Sequence, residues 1–156
     1  MPIPSRVLLA FDDSPFAEAA VYDLPRAGLP DDTHLTILSV VELWLPPPPS
    51  YALIDTQFAP ALGGPMAIAK DRTARAADLV RTMCPSWTVE ARARTGSPAT
   101  EILDEAEEHG TSLIIAGSHG RTGLVRVLLG SVSQKLIAGA ACSVRIGRGR
   151  IEESTS

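Results

Sequence analysis

The sequence predicts an α/β protein in which a parallel β-sheet is covered by helices. Segments with the pattern of buried strands alternate with segments of helical periodicity along a chain of 156 residues, and this alternation is typical of parallel sheets. A chain of this length is most simply one domain with a substantial core. We therefore expect one domain over residues 1–150, with five strands, and a short tail over 151–156.

The first half of the chain contains two predicted strands with a helix between them. The runs 6–11 and 35–41 are apolar and of strand length. Ser14 and Pro15 give a helix cap followed by a proline at the first helical position. The helix should end at Pro25, because proline stops or kinks a helix.

A proline-rich and glycine-rich segment follows over residues 45–65. It contains four consecutive prolines at 46–49, together with Pro60 and the run Gly63-Gly64-Pro65. Consecutive prolines fit neither a helix nor a central strand, so the segment predicts a long extended loop. It is either an insertion without a role or a docking site or lid.

The second half continues the alternation. Its predicted elements are a helix over 66–83, a strand over 87–95, a helix from Pro98 to a stop at Gly110, a strand over 113–116, a helix over 131–138 and a strand over 143–146. In the strand over 87–95, charged residues alternate with Val and Ala, which predicts one solvated face. The acidic stretch 101–108 is interpreted as a solvated helix face.

Composition excludes several functional classes. The net charge of −4 argues against broad nucleic-acid binding, which needs a basic face. No apolar run approaches the roughly 20 residues of a membrane span, and the first residues lack the basic region of a secretory signal. Two cysteines, Cys84 and Cys142, indicate neither a disulfide framework nor a metal site. We expect a cytoplasmic protein that binds neither membrane nor nucleic acid.

The most informative segment is the glycine loop that follows the strand at 113–116. The loop begins Gly117-Ser-His-Gly120, and nine residues separate Gly120 from Gly130-Ser131. A strand end followed by a helix start binds anions, because unpaired amides and the helix dipole point at the ligand. Glycines let the backbone approach a phosphate closely. Ser131 and Ser133 are placed to cap the helix or to turn their hydroxyls to phosphate oxygens, so the segment predicts a nucleotide binder.

Three better-known motifs do not match this chain. A Walker A loop needs Gly-Lys before Ser or Thr, whereas the two lysines, Lys70 and Lys135, follow Ala and Gln. The dinucleotide fingerprint G-x-G-x-x-G is not matched, because Gly117, Gly120 and Gly123 are spaced three residues apart. The nucleophile elbow G-x-S-x-G fails because Ser118 directly follows Gly117.

The remaining pattern, G-x2-G-x9-G-S within residues 113–133, resembles the nucleotide-binding signature of the universal stress protein family. Residues 7–14 resemble that family's first strand and acidic turn, and 38–42 resemble its second strand end. The resemblance covers residues 5–147. It implies a single-domain Rossmann-like or flavodoxin-like three-layer sandwich, whose five-stranded parallel sheet has the order 3-2-1-4-5.

The resemblance to the ATP-binding branch also implies a ligand and its contacts. The ligand is ATP with Mg²⁺, with AMP or another adenine nucleotide as alternatives. The implied contacts are the adenine with the backbone near Ala10 and Val40, the ribose with Asp12, and the phosphates with the glycine loop. The implied binding residues are Ala10, Asp12, Val40, Ala116, Gly117, Gly120, Gly130, Ser131, Val132 and Ser133.

Several residues keep a second interpretation. Asp12 can cap the first helix instead of binding ribose. His119 has no carboxylate partner nearby in the sequence, so we assign it no catalytic role. Arg121 and Arg126 either screen phosphate charge or are plain surface residues.

We expect a stress-response module that binds ATP. The alternatives are a weak ATPase or phosphotransferase, and a nucleotide-free dimeric interaction module. The resemblance also implies a homodimer and an unidentified protein partner. In the family the last strand often pairs across the dimer axis, but here Ser143, Arg145 and Gly147 depart from its apolar pattern, which leaves the mode of dimerisation open.

Overall fold

The central layer is a five-stranded parallel sheet. The computed structural model describes residues 5–12, 14–42, 64–118 and 129–147. The strands are β1 (Arg6–Ala10), β2 (His34–Val41), β3 (Thr88–Thr95), β4 (Leu113–Gly117) and β5 (Ser143–Gly147). The helices are α1 (Pro15–Asp23), α2 (Gly64–Met83), α3 (Pro98–Glu108) and α4 (Ser131–Gly139), and a short 3-10 turn spans Leu24–Arg26.

The strand order is β3-β2-β1-β4-β5, which confirms the expected topology. β1 lies in the centre, where Leu9 pairs with Ile37 on one side and with Ile115 on the other. β3 and β5 form the two edges. A parallel sheet needs both faces covered, and the near-continuous apolar runs of β1, β2 and β4 meet that need.

The two faces of the sheet build two separate apolar clusters. Leu9 and Ile37 lie on the face covered by α1 and α2, where they are fully buried with Val80. Leu8 and Ile114 point to the opposite face and pack with residues of α3 and α4. Successive strand residues point to opposite faces, so three layers follow from the alternation along each strand.

The start of α1 and the end of α3 lie where the capping residues predict them. The Ser14 hydroxyl oxygen accepts a hydrogen bond from the Ala17 amide at 3.2 Å, and Pro15 begins α1. After α3, Gly110 has a φ of +60°. The Thr111 amide donates to the Ala106 carbonyl at 2.9 Å and the Gly110 amide to Glu107 at 3.3 Å. These two bonds form a Schellman motif.

Three local predictions were wrong. Helix α2 begins at Gly64, so the last two residues of the predicted loop are helical, and the rest of that loop lies outside the described residues. Gly130, with extended backbone, holds the cap position of α4, and Ser131 is already the first helical residue. Glu105 is only 4% exposed and Glu101 is half-buried, so the acidic stretch of α3 is a solvated face only at Asp104, Glu107 and Glu108. Glu101 and Glu105 lie against the arginines of β3.

Among the described residues, no helix is both long and apolar enough to cross a membrane. The tail over 151–156 lies outside the part of the chain that the structure describes.

Candidate functional site

The candidate site lies where the strand order reverses, at the carboxyl ends of β1 and β4. The sheet grows from β1 toward β2 and β3 on one side, and toward β4 and β5 on the other. Connections therefore leave the ends of β1 and β4 in opposite directions, and a crevice forms between them. Open α/β sheets bind ligands at this place.

Four of the predicted contact residues come together in the apolar cluster under α3 and α4. Ala116 is buried within this cluster, and Ala10, Val40 and Val132 pack against it while staying half-buried. They come from the ends of β4, β1 and β2 and from the first turn of α4. The crevice therefore has an apolar wall with partly accessible side chains, which suits a flat aromatic base.

Asp12 is tied to the start of α1. Its Oδ1 accepts a hydrogen bond from the Ser14 amide at 3.0 Å, and the Ser14 side chain caps the helix. The carboxylate thus supports the turn after β1, and the helix cap itself is Ser14 rather than Asp12. Asp12 also stays half-buried at the carboxyl end of the central strand.

Gly117, at the end of β4, lies very close to α1. A Cβ at this position would lie 2.9 Å from the Phe16 Cβ and 3.1 Å from the Phe16 carbonyl carbon. Real Cβ atoms do not come so close to other atoms, and one of these two neighbouring atoms belongs to the backbone of α1. Gly117 is therefore required by packing, whatever the ligand.

Two hydrogen bonds hold the start of α4 against the end of β4. The Ser133 hydroxyl donates to the Gly117 carbonyl at 2.8 Å, and the Gly130 amide donates to the Ser118 carbonyl at 2.9 Å. Ser133 is 3% exposed. Because its hydroxyl hydrogen is already donated, this side chain adds no donor for a phosphate, contrary to one of its predicted roles.

The first amides of α4 are oriented as an anion site requires. The first bond along the helix runs from the Gln134 amide to the Gly130 carbonyl at 3.0 Å. The amides of Ser131, Val132 and Ser133 precede it and find no acceptor among the described residues. Unpaired amides at a helix start favour an anion.

Gly120, His119, Arg121 and Arg126 lie outside the described residues.

Sequence reasoning missed an ion-pair network between β3 and α3. The Arg92 Nη1 donates to Glu105 Oε1 at 2.7 Å, and the Arg94 Nη1 donates to Glu105 Oε2 at 2.8 Å. The Arg94 Nε also donates to Glu101 at 2.8 Å. The bond to Glu105 raises the pKa of Arg94, and the bond to Glu90 raises the pKa of Arg92. The signal was present: arginines two apart on a strand, and glutamates four apart on the next helix.

The same network argues against a metal site on α3. Oxygen or nitrogen atoms of Glu105, Glu108 and His109 lie within 4.8 Å of one another. However, Glu105 already pairs with Arg92 and Arg94. A cation would have to displace both guanidinium groups.

The model of the universal stress protein family matches residues 4–148. The chain belongs to the universal stress protein family. It is 33% identical over 106 residues to a universal stress protein of Methanocaldococcus jannaschii, and the match spans 62% of each chain. A universal stress protein of Bacillus subtilis is 51% identical over 53 residues, which is 34% of this chain and 36% of the relative.

Solved universal stress protein structures share the fold. The UspA protein from Lactobacillus plantarum has a TM-score of 0.73 and 27% identity, covering 95% of this chain and 100% of its own. A family member from Arabidopsis thaliana, solved with AMP bound, has a TM-score of 0.61 and 17% identity, covering 98% and 97%. Another, in complex with cAMP, has a TM-score of 0.63 and 19% identity, covering 96% and 100%.

We expect Gly117→Ala to lower the free energy of unfolding by about 1–3 kcal/mol, the usual cost of overpacking. The added methyl meets the backbone of α1, so a shift of a flexible side chain cannot relieve it. Urea denaturation measures the change. Gly147→Ala is the matched control, because its Cβ would lie 3.4 Å from the Ala20 Cβ, an ordinary contact. Equal stabilities for the two variants would contradict the packing argument.

Proposed function

We propose that this universal stress protein binds an adenine nucleotide in the crevice between β1 and β4, as ATP with Mg²⁺. The observation that carries the proposal is the meeting of two features at one place. One is the apolar wall of Ala10, Val40, Ala116 and Val132, and the other is the start of α4 with its unpaired amides. Family members solved with AMP and with cAMP support the class of ligand.

The parts of the nucleotide match the parts of the crevice. The apolar wall takes the base, and the amides of Ser131, Val132 and Ser133 take phosphate oxygens, because ionised phosphates only accept hydrogen bonds. Asp12 accepts hydrogen bonds from the ribose hydroxyls. Gly117, Gly120 and Gly130 allow close approach of the loop backbone.

Mg²⁺ fits this crevice as a companion of the nucleotide. Magnesium usually keeps several waters and binds through one or two carboxylates together with the phosphates of its ligand. Asp12, the described carboxylate at the end of β1, is assigned to the ribose, so phosphate oxygens and water molecules would supply the ligands of the ion. When bound, the ion would neutralise part of the phosphate charge.

Binding is favoured over turnover. Phosphoryl transfer needs a positioned nucleophile or water and a cationic clamp on the transferred group. Around the crevice, the described residues supply backbone amides and a turn-bound carboxylate. Cys84 packs in the cluster on the opposite face of the sheet, where burial raises the pKa of its thiol, so it supplies no nucleophile to the crevice. Slow hydrolysis, or phosphotransfer with residues from a partner, is the alternative, and it predicts Mg²⁺-dependent release of ADP that Asp12→Ala abolishes.

Calorimetric titration with ATP·Mg²⁺, AMP and cAMP tests the proposal, after any copurified nucleotide has been released by heat and identified. We expect micromolar binding, about 8 kcal/mol, to at least one of them. Ser131→Pro is the diagnostic variant. Proline at the first helical position removes one amide hydrogen without harming the helix, and Gly130 already has the extended conformation, φ −59° and ψ 158°, that a following proline requires.

We expect Ser131→Pro to weaken binding roughly 10- to 100-fold, the value of one hydrogen bond to a charged group. Ser131→Ala is the control, since it keeps the amide and removes only the hydroxyl. The absence of any heat of binding when the wild-type protein is titrated with each of the three nucleotides would contradict the proposal. It would leave the nucleotide-free dimeric module as the better description.

We also propose a cytoplasmic homodimer formed through the β5 edge. The apolar side chains of Tyr22 and Ile137, on the two helices that contact β5, are 56% and 50% exposed. The Arg145 Nη1 donates to the Ala27 carbonyl at 3.2 Å, which folds this side chain back along its own subunit. The partner protein that would respond to the nucleotide state is still to be identified.

Light scattering coupled to size exclusion tests the dimer. We expect a mass of about twice 16.5 kDa for the wild-type protein and a monomer for Ile137→Lys. Ile68→Lys should remain dimeric, because Ile68 is equally exposed, at 51%, but lies on α2, which packs on β2 and β3. A monomeric wild-type protein, or the same response from both variants, would contradict the assignment.

A further inference from the structure

The ion-pair network of α3 reaches the crevice beside Val40. In the β2–β3 ladder, Arg94 is the register partner of Val40, so the two backbones are one strand spacing apart, about 4.8 Å. Its guanidinium contacts glutamates of α3, and Val40 packs into the cluster under the same helix. Arg94 thus lies on the same face of the sheet as the proposed base wall, on its outer side.

Arg94 contacts three carboxylates of α3: Glu101 and Glu105, which lie one helical turn apart, and Glu108, at 3.3 Å from its Nη1. Its Nε donates to Glu101 and its Nη1 to Glu105, both at 2.8 Å. The side chain of Glu105 is only 5% exposed, while the side chains of Arg94 and Glu101 are 26% and 21% exposed. A guanidinium is a rigid fork that can reach two acceptors at once, which a lysine ammonium on a flexible stem does not reproduce. Glu101 is therefore held in one place.

The Glu101 side chain in turn packs against the turn between β3 and α3. Gly96 has a φ of +144°, and a Cβ built on it would lie 2.6 Å from Glu101 Oε1. The carboxylate thus occupies the space that a side chain at residue 96 would fill. The Gly96 amide donates to the Val41 carbonyl at 3.0 Å, so this turn is fastened to the last residue of β2, next to Val40.

The geometry points to the Arg94–Glu101 ion pair as the positioning device for the adenine base. The pair fixes the Gly96 turn, and the turn fixes the carboxyl end of β2 against which the base is held. This inference rests on the proposed nucleotide binding and extends it to base selection. Arg94 and Glu101 are positioning residues, since they act through Gly96 and Val41.

The test compares the affinities for ATP and GTP, measured by calorimetry with Mg²⁺ on the wild-type protein and on Arg94→Lys. This variant keeps the positive charge and loses the fork. We expect the wild type to prefer ATP, and the ratio of ATP to GTP affinity to fall about tenfold in the variant, because the carboxyl end of β2 is no longer held in place; this is the scale of coupling changes caused by residues that do not contact the ligand. Glu101→Gln, which keeps the shape of the side chain, should lower the ratio in the same direction and serves if Arg94→Lys unfolds.

Arg81→Lys is the matched control. Arg81 also bridges a carboxylate, Asp78, and the β3 backbone, but it bonds the Val89 carbonyl near the opposite end of the strand. It should leave the ratio unchanged. An equal loss of ATP and GTP affinity in Arg94→Lys, an unchanged ratio, or a wild type that does not discriminate the bases would overturn the inference. A wild type that binds neither nucleotide would overturn the proposed function itself, so the two failures are distinguishable.

Discussion

The close approach of β4 to α1 at Gly117 is the constraint on which the crevice depends. Because residue 117 has no side chain, the end of β4 can lie against the Phe16 backbone. The Gly117 carbonyl then accepts a hydrogen bond from the Ser133 hydroxyl, and the Ser118 carbonyl accepts one from the Gly130 amide. These contacts bring the end of β4 together with the first turns of α1 and α4. The position of the α4 amides is thus a consequence of sheet packing.

The two ends of the crevice are held by different kinds of interaction. At the α4 end, backbone groups and a buried hydroxyl fix the geometry with neutral hydrogen bonds. At the β2 end, charged side chains do so, through Arg94, Glu101 and the buried Glu105. The neutral end leaves amide hydrogens available for anions, and at the charged end arginines hold the carboxylates of Glu101 and Glu105 in place. Such a division suits a ligand that is apolar at one end and anionic at the other.

Much of the fold was predictable from local signals. The strand order followed from the family resemblance, and the starts and stops at Ser14, Pro15 and Gly110 followed from capping chemistry that depends on neighbours in sequence. The errors share a physical cause. The cap of α4 is Gly130 because a hydrogen bond to Ser118 fixes it, and Glu105 is buried because β3 supplies arginines. Both depend on contacts between distant segments, which local patterns do not reveal.

The candidate site was predictable to a similar degree. Its apolar residues and glycines were implied by the family resemblance, and the structure brings Ala10, Val40, Ala116 and Val132 into one cluster. The donated hydroxyl of Ser133 and the packing role of Gly117 were not predictable, since each needs the position of a second element. The role of each residue toward a ligand stays a prediction.

The most direct test of nucleotide binding in this crevice is a ¹H–¹⁵N NMR titration with ATP·Mg²⁺, with the backbone amides assigned. We expect the largest chemical-shift changes at the amides of Ser131, Val132 and Ser133, with further changes at Ala10 and Val40. Thr36 and Thr111, beside the amino ends of the strands, should not move. Changes concentrated at those two residues, or none anywhere, would contradict this expectation.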